Sequence, residues 1–262
     1  MTWDGLQHGR RIAYSMFLCA LLATTVVVAS DTRTSAPMAS IEPFNEFHFV
    51  RLAYTSLNGG FRGGERWLMD YPEAEEHLIE GIGRLSKIDI GPEGVHMRIM
   101  DPKLFDYPWV YAVEVGGWLL SDEEAARLRD YLLRGGFLMV DDFHGTYEWE
   151  GFVQSMRRVF PDRPIVEIPV TDPIFHLAYD LDNKTQIPGT IAYFNGVTYE
   201  KDGYTPHWRG IYDDKGRLMV VIDFNMDLGD AWEHADNPQY PVNYTVQAYK
   251  FAINYALYAM TH

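Results

Sequence analysis

The stretch SDEEAARLRDYLLRGGFLMVDD, residues 121–142, constrains the fold more than any other part of the chain. Ser121 with Glu124 has the spacing of a capping box, and Gly135-Gly136 is a helix stop. An apolar run then begins at once and ends in two aspartates. A strand apolar on both faces has to be covered on both faces, which is the condition of a parallel sheet sandwiched by helices. The pattern around it repeats the alternation. FHFVRLAY (47–54), VHMRIM (95–100) and WVYAVEV (109–115) have strand composition. YPEAEEHLIEGIGRLSK (71–87) and WEGFVQSMRRVF (149–160) carry apolar residues at helical spacing, the first with Pro72 and acids in its opening turn. Alternating strands and helices predict an α/β chain with a three-layer, doubly wound, mainly parallel sheet.

The second half is expected to vary this theme. PIVEIP (164–169) is a short extended piece and GTIAYFNGVTYE (189–200) has strand composition. RGIYDDKGRLMVVIDFN (209–225) predicts a hairpin turning at 214–216. A closing helix over 243–260 places Val246, Tyr249, Ala252, Ile253, Ala256 and Leu257 along one face.

In open parallel sheets, ligands bind beyond the carboxyl ends of the strands. Two segments put acids there. MVDDFHG (139–145) offers Asp141, Asp142 and His144; VVIDFNMDLGDAWEH (220–234) offers Asp223, Asp227, Asp230, Glu233 and His234. If the two strands are neighbours, these groups converge on one acidic cleft. Asp141, Asp142, His144 and Asp227 are the ligand-binding candidates, with Trp232 as an apolar wall. Asp142, His144, Asp227 and Glu233 could instead coordinate a divalent metal, the only cofactor this set suggests. The competing expectation is structural, because aspartates at strand ends cap the following helices. Asp141 leans to that side. The glycine-rich loop NGGFRGGERW (58–67) is expected to be a plain turn, although its amides with Arg62 or Arg66 could meet an anion.

The N-terminus has the layout of an export signal: Arg10-Arg11, then the apolar run MFLCALLATTVVV (16–28), then small residues suited to cleavage near residue 30. An uncleaved N-terminal membrane anchor is the alternative. Residues 31–46 are expected to be a flexible spacer and 47–262 a single domain. Cys19, the one cysteine, lies inside the apolar run, so the exported chain would have no thiol for catalysis, disulfide or metal. A formal charge of −15 argues against nucleic acid and anionic membrane surfaces as partners. A small molecule, a carbohydrate or an envelope protein is the partner class left. G-x-S-x-G and Walker A motifs are absent.

LRGGFLMVDDFHG, DPIFHLAYDL, RLMVVIDFNMDLGDAWEH and AYKFAINYALYAM together resemble the bacterial domain-of-unknown-function family 4159, over roughly residues 46–260. That family is similar to the class I glutamine amidotransferase-like superfamily, which implies a flavodoxin-like fold. Catalytic amidotransferases set a cysteine on the turn after a central strand. The comparable turn here is VDDFHGT, without one, so glutaminase activity is not expected. DPIF also resembles the His-Pro-Ile stretch of a trehalose-utilisation-like branch, with Asp172 in place of the histidine. The resulting expectation is an exported protein that binds a ligand or partner through the acidic strand-end cleft; the alternative is a metal-dependent hydrolase acting on a carbohydrate or envelope substrate.

Overall fold

A computed structural model describes residues 47–57, 65–182 and 184–262. The expected signal and spacer, and residues 58–64 of the glycine-rich loop, lie outside the described residues. Seven strands form the main sheet in the order β3-β1-β4-β6-β9-β8-β7: β1 (Val50–Ala53), β3 (Val95–Arg98), β4 (Trp109–Val113), β6 (Phe137–Asp141), β7 (Val166–Glu167), β8 (His207–Tyr212) and β9 (Leu218–Phe224). The first five in spatial order are parallel, and β8 pairs antiparallel with both β9 and β7. Two short strands, β2 (Thr55–Ser56) and β5 (Trp118–Leu119), pair separately. The chain crosses from β1 outward to β3 and then back to β4, so the winding direction reverses between β1 and β4.

Side-chain alternation divides the sheet into two faces. Trp109, Tyr111 and Val113 of β4 and Phe137 and Met139 of β6 pack beneath α1 (Glu73–Leu85), α5 (Leu228–Glu233) and α6 (Val242–Thr261). Val110, Ala112, Leu138 and Val140 pack beneath α2 (Asp122–Leu133) and α3 (Gly145–Val159). The result is a three-layer α/β architecture with a mainly parallel sheet. The capping box forms as expected: the Glu124 amide donates to Ser121 Oγ at 3.1 Å, and the Ser121 amide to Glu124 Oε2 at 2.8 Å. Among the described residues, no helix is long and apolar enough to cross a membrane.

Three local expectations change. The segment 189–200 is not a strand; it holds a helical turn, α4 (Thr190–Phe194). Its β-branched and aromatic composition is overridden by tertiary bonds, since Thr190 donates both its amide (2.6 Å) and its hydroxyl (3.0 Å) to Asp230 Oδ2. Helix α3 starts at Gly145, four residues before its apolar stripe. There Thr146 donates its amide and hydroxyl to Asp202, at 2.9 and 2.6 Å. The buried face of α6 is broader than the expected stripe: Ala252, Ile253 and Ala256 are buried and Tyr249 and Leu257 pack against the core as expected, Ala248, Phe251, Tyr255 and Tyr258 are buried as well, and only Val246 of the stripe is exposed.

Candidate functional site

The carboxyl edge of the sheet ends in left-handed backbone three times in a row. Glu114 follows β4 (φ 50°), Asp142 follows β6 (φ 49°) and Asn225 follows β9 (φ 62°); none is glycine. Non-glycine residues adopt this region at a cost, and acidic and amide side chains tolerate it best because they bond locally. These turns aim polar side chains over the strand ends. Strands β6 and β9 are direct neighbours, with Leu138 opposite Val220 and Val140 opposite Ile222, so the two acidic segments do meet.

What meets is a buried pit of carboxyl groups. Asp141 and Asp223 are fully buried, while Asp70, Asp142 and Asp227 each expose under a tenth of their surface. Asp141 is the structural member. Its Oδ2 accepts the amides of Leu228 (2.8 Å) and Gly229 (2.9 Å) and the Tyr111 hydroxyl (3.2 Å), which fixes the start of α5; its Oδ1 has no partner. Asp223 points from β9 to α6, where it accepts the Tyr255 hydroxyl at 2.9 Å. Asp227 caps α5 through Oδ1, accepting the Asp230 amide at 2.7 Å. Its Oδ2 turns the other way, toward Gly189, where Glu200 Oε1 and Asp230 Oδ2 also converge. A side-chain carbon at Gly189 would stand 2.6, 2.9 and 3.1 Å from these three oxygens, so only glycine lets the three acids crowd the backbone there.

Asp142 and His144 form a buried pair, Nε2 to Oδ1 at 3.1 Å, and His144 Nδ1 has no partner. Burial lowers the imidazole's pKa and holds it neutral. Burial likewise pushes the carboxyls of Asp70, Asp141, Asp142 and Asp227 well above the ordinary range, and the neighbouring acids push them further. The nearby cations are engaged elsewhere. Arg51 grips Glu75 with two nitrogens and also donates to the carbonyls of Trp67 and Met69. Arg66 binds Glu114 at 2.6 Å, and Lys201 binds Glu148 at 2.7 Å. Glu114 is raised to about 7, first by burial and next by Asp142.

Two of the expected placements differ. Trp232 is wholly buried in the core against Tyr111, with ring centroids 5.6 Å apart, so its ring offers no wall to a cleft. Asp142, His144, Asp227 and Glu233 do not gather at ligand distance around one point. Among the described residues two other triads do, each with one ligand atom per residue and all within 4.8 Å: Asp70 with Asp227 and Asp230, and Asp230 with Glu233 and His234. The second lies half-exposed along α5.

Asp70, Glu114, Asn225 and Glu200 carry parts of this site that the sequence reading did not select. Glu114 had a legible signal, an acid at the end of the apolar run WVYAVEV. Asn225 clips three segments together, accepting the Gly145 amide at 2.9 Å and donating to the Thr205 carbonyl at 2.7 Å. Asp70 and Glu200 stand in loops with no periodic signal. The family model described as Domain of unknown function (DUF4159) matches residues 48–260, and the chain belongs to that family. No curated protein matches the sequence.

Proposed function

We propose that this DUF4159 member is an exported, non-glutaminase protein that binds a ligand in the acidic pit at the carboxyl edge of its sheet. The observation that carries the reading is the convergence of Asp70, Asp142, Glu200 and the α5 pair Asp227 and Asp230 from four segments of the chain, with the nearby lysine and arginines already bound to other acids. Folding alone gains nothing from uncompensated buried carboxyls, and such groups raise the free energy of the native state. A ligand that neutralises them or shares their protons would offset that cost.

The strand order supports a flavodoxin-like, amidotransferase-like framework. Counting only the parallel strands in chain order, β3-β1-β4-β6-β9 is the 2-1-3-4-5 arrangement in which ligands sit outside the carboxyl ends. Glutaminase chemistry has no nucleophile here, since Cys19 is the sole cysteine and Glu114 and Asp142 occupy the left-handed turns after the central strands. Export rests on Arg10-Arg11 and the apolar run after it; it places the domain 47–262 in the periplasm or outside the cell.

Thermal melts of the protein lacking residues 1–30 test the reading, with a polyamine, simple sugars and polyols, and divalent cations as probes. At least one probe class raises the Tm, and Asp142→Asn abolishes or halves the rise. Asparagine accepts the left-handed backbone at this position, so the variant keeps its fold. If no probe shifts the wild-type Tm, the pit is structural and the reading falls.

A further inference from the structure

We propose that Asp70, Asp227 and Asp230 form a site for one hard divalent cation of calcium size. The proposal deepens the reading of the pit as a ligand site and rests on it.

Asp70 is the observation that points to a ligand. It exposes 8% of its surface, and its buried Oδ2 has no hydrogen-bond partner. It sits in left-handed backbone (φ 63°) just before α1, and its carboxyl reaches across to the start of α5. A carboxylate that is buried, strained and unpartnered costs stability unless something binds it. Its neighbours supply the rest of a coordination set. One oxygen each from Asp70, Asp227 and Asp230 lie within 4.8 Å of one another. Two oxygens bound to one Ca²⁺ at about 2.3–2.6 Å can stand up to about 5.2 Å apart, whereas Mg²⁺ at about 2.0–2.1 Å limits them to about 4.2 Å. Oxygens within 4.8 Å of one another can therefore share one calcium ion, and a buried set of three carboxylates favours it over magnesium, which dehydrates reluctantly and usually keeps several waters.

The remaining geometry agrees. Asp227 Oδ2 and Glu200 Oε1 share the space at Gly189 with Asp230 Oδ2, which puts a fourth acid beside the triad. Asp227 and Asp230 are oriented by bonds that leave ligand capacity. Asp227 spends Oδ1 on the Asp230 amide, and Asp230 Oδ2 accepts from Thr190. All donors are carboxylate oxygens, the set preferred by a hard ion and not by zinc or copper. Among the described residues, no lysine or arginine is ion-paired with Asp70, Asp227 or Asp230, so a cation would be the first full countercharge in the triad.

The test uses chelator-treated protein lacking residues 1–30, titrated by calorimetry with CaCl₂, MnCl₂ and MgCl₂ up to about 10 mM, a range that covers weak extracellular calcium modules. The expected result is one Ca²⁺ per chain, tighter than Mg²⁺. Asp70→Asn should weaken Ca²⁺ at least tenfold and leave the metal-free Tm unchanged or higher, because the Asp70 bond to α1 is made by its backbone carbonyl, which asparagine keeps, and its buried Oδ2 makes none. Terbium luminescence sensitised by Tyr111, whose hydroxyl stands with Asp70 Oδ2 beside Gly229, should appear in the wild type and be lost in Asp70→Asn. Absence of Ca²⁺ binding, or equal binding by Asp70→Asn, overturns the proposal. If an organic probe still raises the Tm through Asp142 while no cation binds, only the cation site falls; if nothing binds, the reading of the pit falls with it.

Discussion

Replacing Glu114 with glutamine weighs burial against ion pairing at the end of β4. Burial is the largest influence on this carboxyl, Asp142 and Glu148 add to it, and Arg66 and Lys201 oppose it; the balance lifts the pKa from 4.5 to about 7. A carboxyl with a higher pKa in the folded than in the unfolded state binds more protons when folded across that interval. Its contribution to stability is therefore lost as pH rises from about 4.5 to about 7. The interval from 4.5 to about 7, at about 1.4 kcal/mol per pH unit, makes the ionised carboxylate cost about 3 kcal/mol at pH 8.5. Its side chain is about one-fifth exposed, so solvent screening trims this to about 2 kcal/mol. Glutamine keeps the shape and can still accept from Arg66, but never ionises. Urea denaturation from pH 4.5 to 8.5 should give two nearly equal stabilities at the acid end, with the variant about 2 kcal/mol ahead at the alkaline end. If Glu114→Gln is instead the less stable protein at pH 8.5, the Arg66 pair outweighs burial and the reasoning fails.

Two further substitutions probe the surroundings of the pit. Glu75→Gln leaves the fully buried Arg51 guanidinium without its countercharge; by chemical denaturation it should cost about 3–5 kcal/mol, and the apolar double replacement Arg51→Met with Glu75→Leu should recover most of that, whereas equal losses would show that the pair has no special role. Gly189 has a backbone open to any residue (φ −62°, ψ 154°), so Gly189→Ala isolates the steric effect of one carbon against Asp227, Glu200 and Asp230. It should lower stability by about 1–3 kcal/mol and weaken calcium binding in the same protein, and unchanged melting and titration curves would contradict the crowding at this position.

The elements that were legible in the sequence are those whose signal is local. Ser121 and Glu124 announce a helix start within four residues, and the run from Phe137 to Val140 announces a strand covered on both faces. The segment 189–200 was not legible because its local preference and its tertiary partners disagree. Thr190, Ile191, Tyr193 and Phe194 have strand composition, yet the Asp230 carboxylate, 40 residues away, accepts the first amide and hydroxyl and holds the chain in a helical turn. In α6 most of the apolar stripe is legible, but the buried face extends beyond it, since polar Asn254 is fully buried to hold the 178–179 loop by bonds of 3.0, 3.0 and 2.9 Å. Hydrophobic spacing cannot register a buried amide of that kind.

The same logic explains which half of the pit could be found. Asp142 and Asp227 stand at the ends of apolar runs, and the rule that ligands gather at the carboxyl edge of a parallel sheet singles them out without coordinates. Asp70 has no such marker: it lies in a loop, and its partners Asp227 and Asp230 are about 160 residues further along. It joins them only because α1 and α5 lie together on the same face of the sheet. Its left-handed backbone is equally silent in composition, because aspartate, though several-fold enriched in that conformation, still adopts ordinary backbone in most of its occurrences. A buried acid with no partner and a strained backbone is therefore a feature that folding alone would remove, at a cost of about 1–3 kcal/mol each for the strain and the missing bond. Asp141 shows the contrast. It is more deeply buried than Asp70 and its Oδ1 also lacks a partner, yet three donors reach its Oδ2 and tie it to α5 and β4, whereas among the described residues no donor reaches the Asp70 carboxyl. The distinction between the two aspartates is the strongest physical reason to place a bound cation at Asp70 and a structural clamp at Asp141.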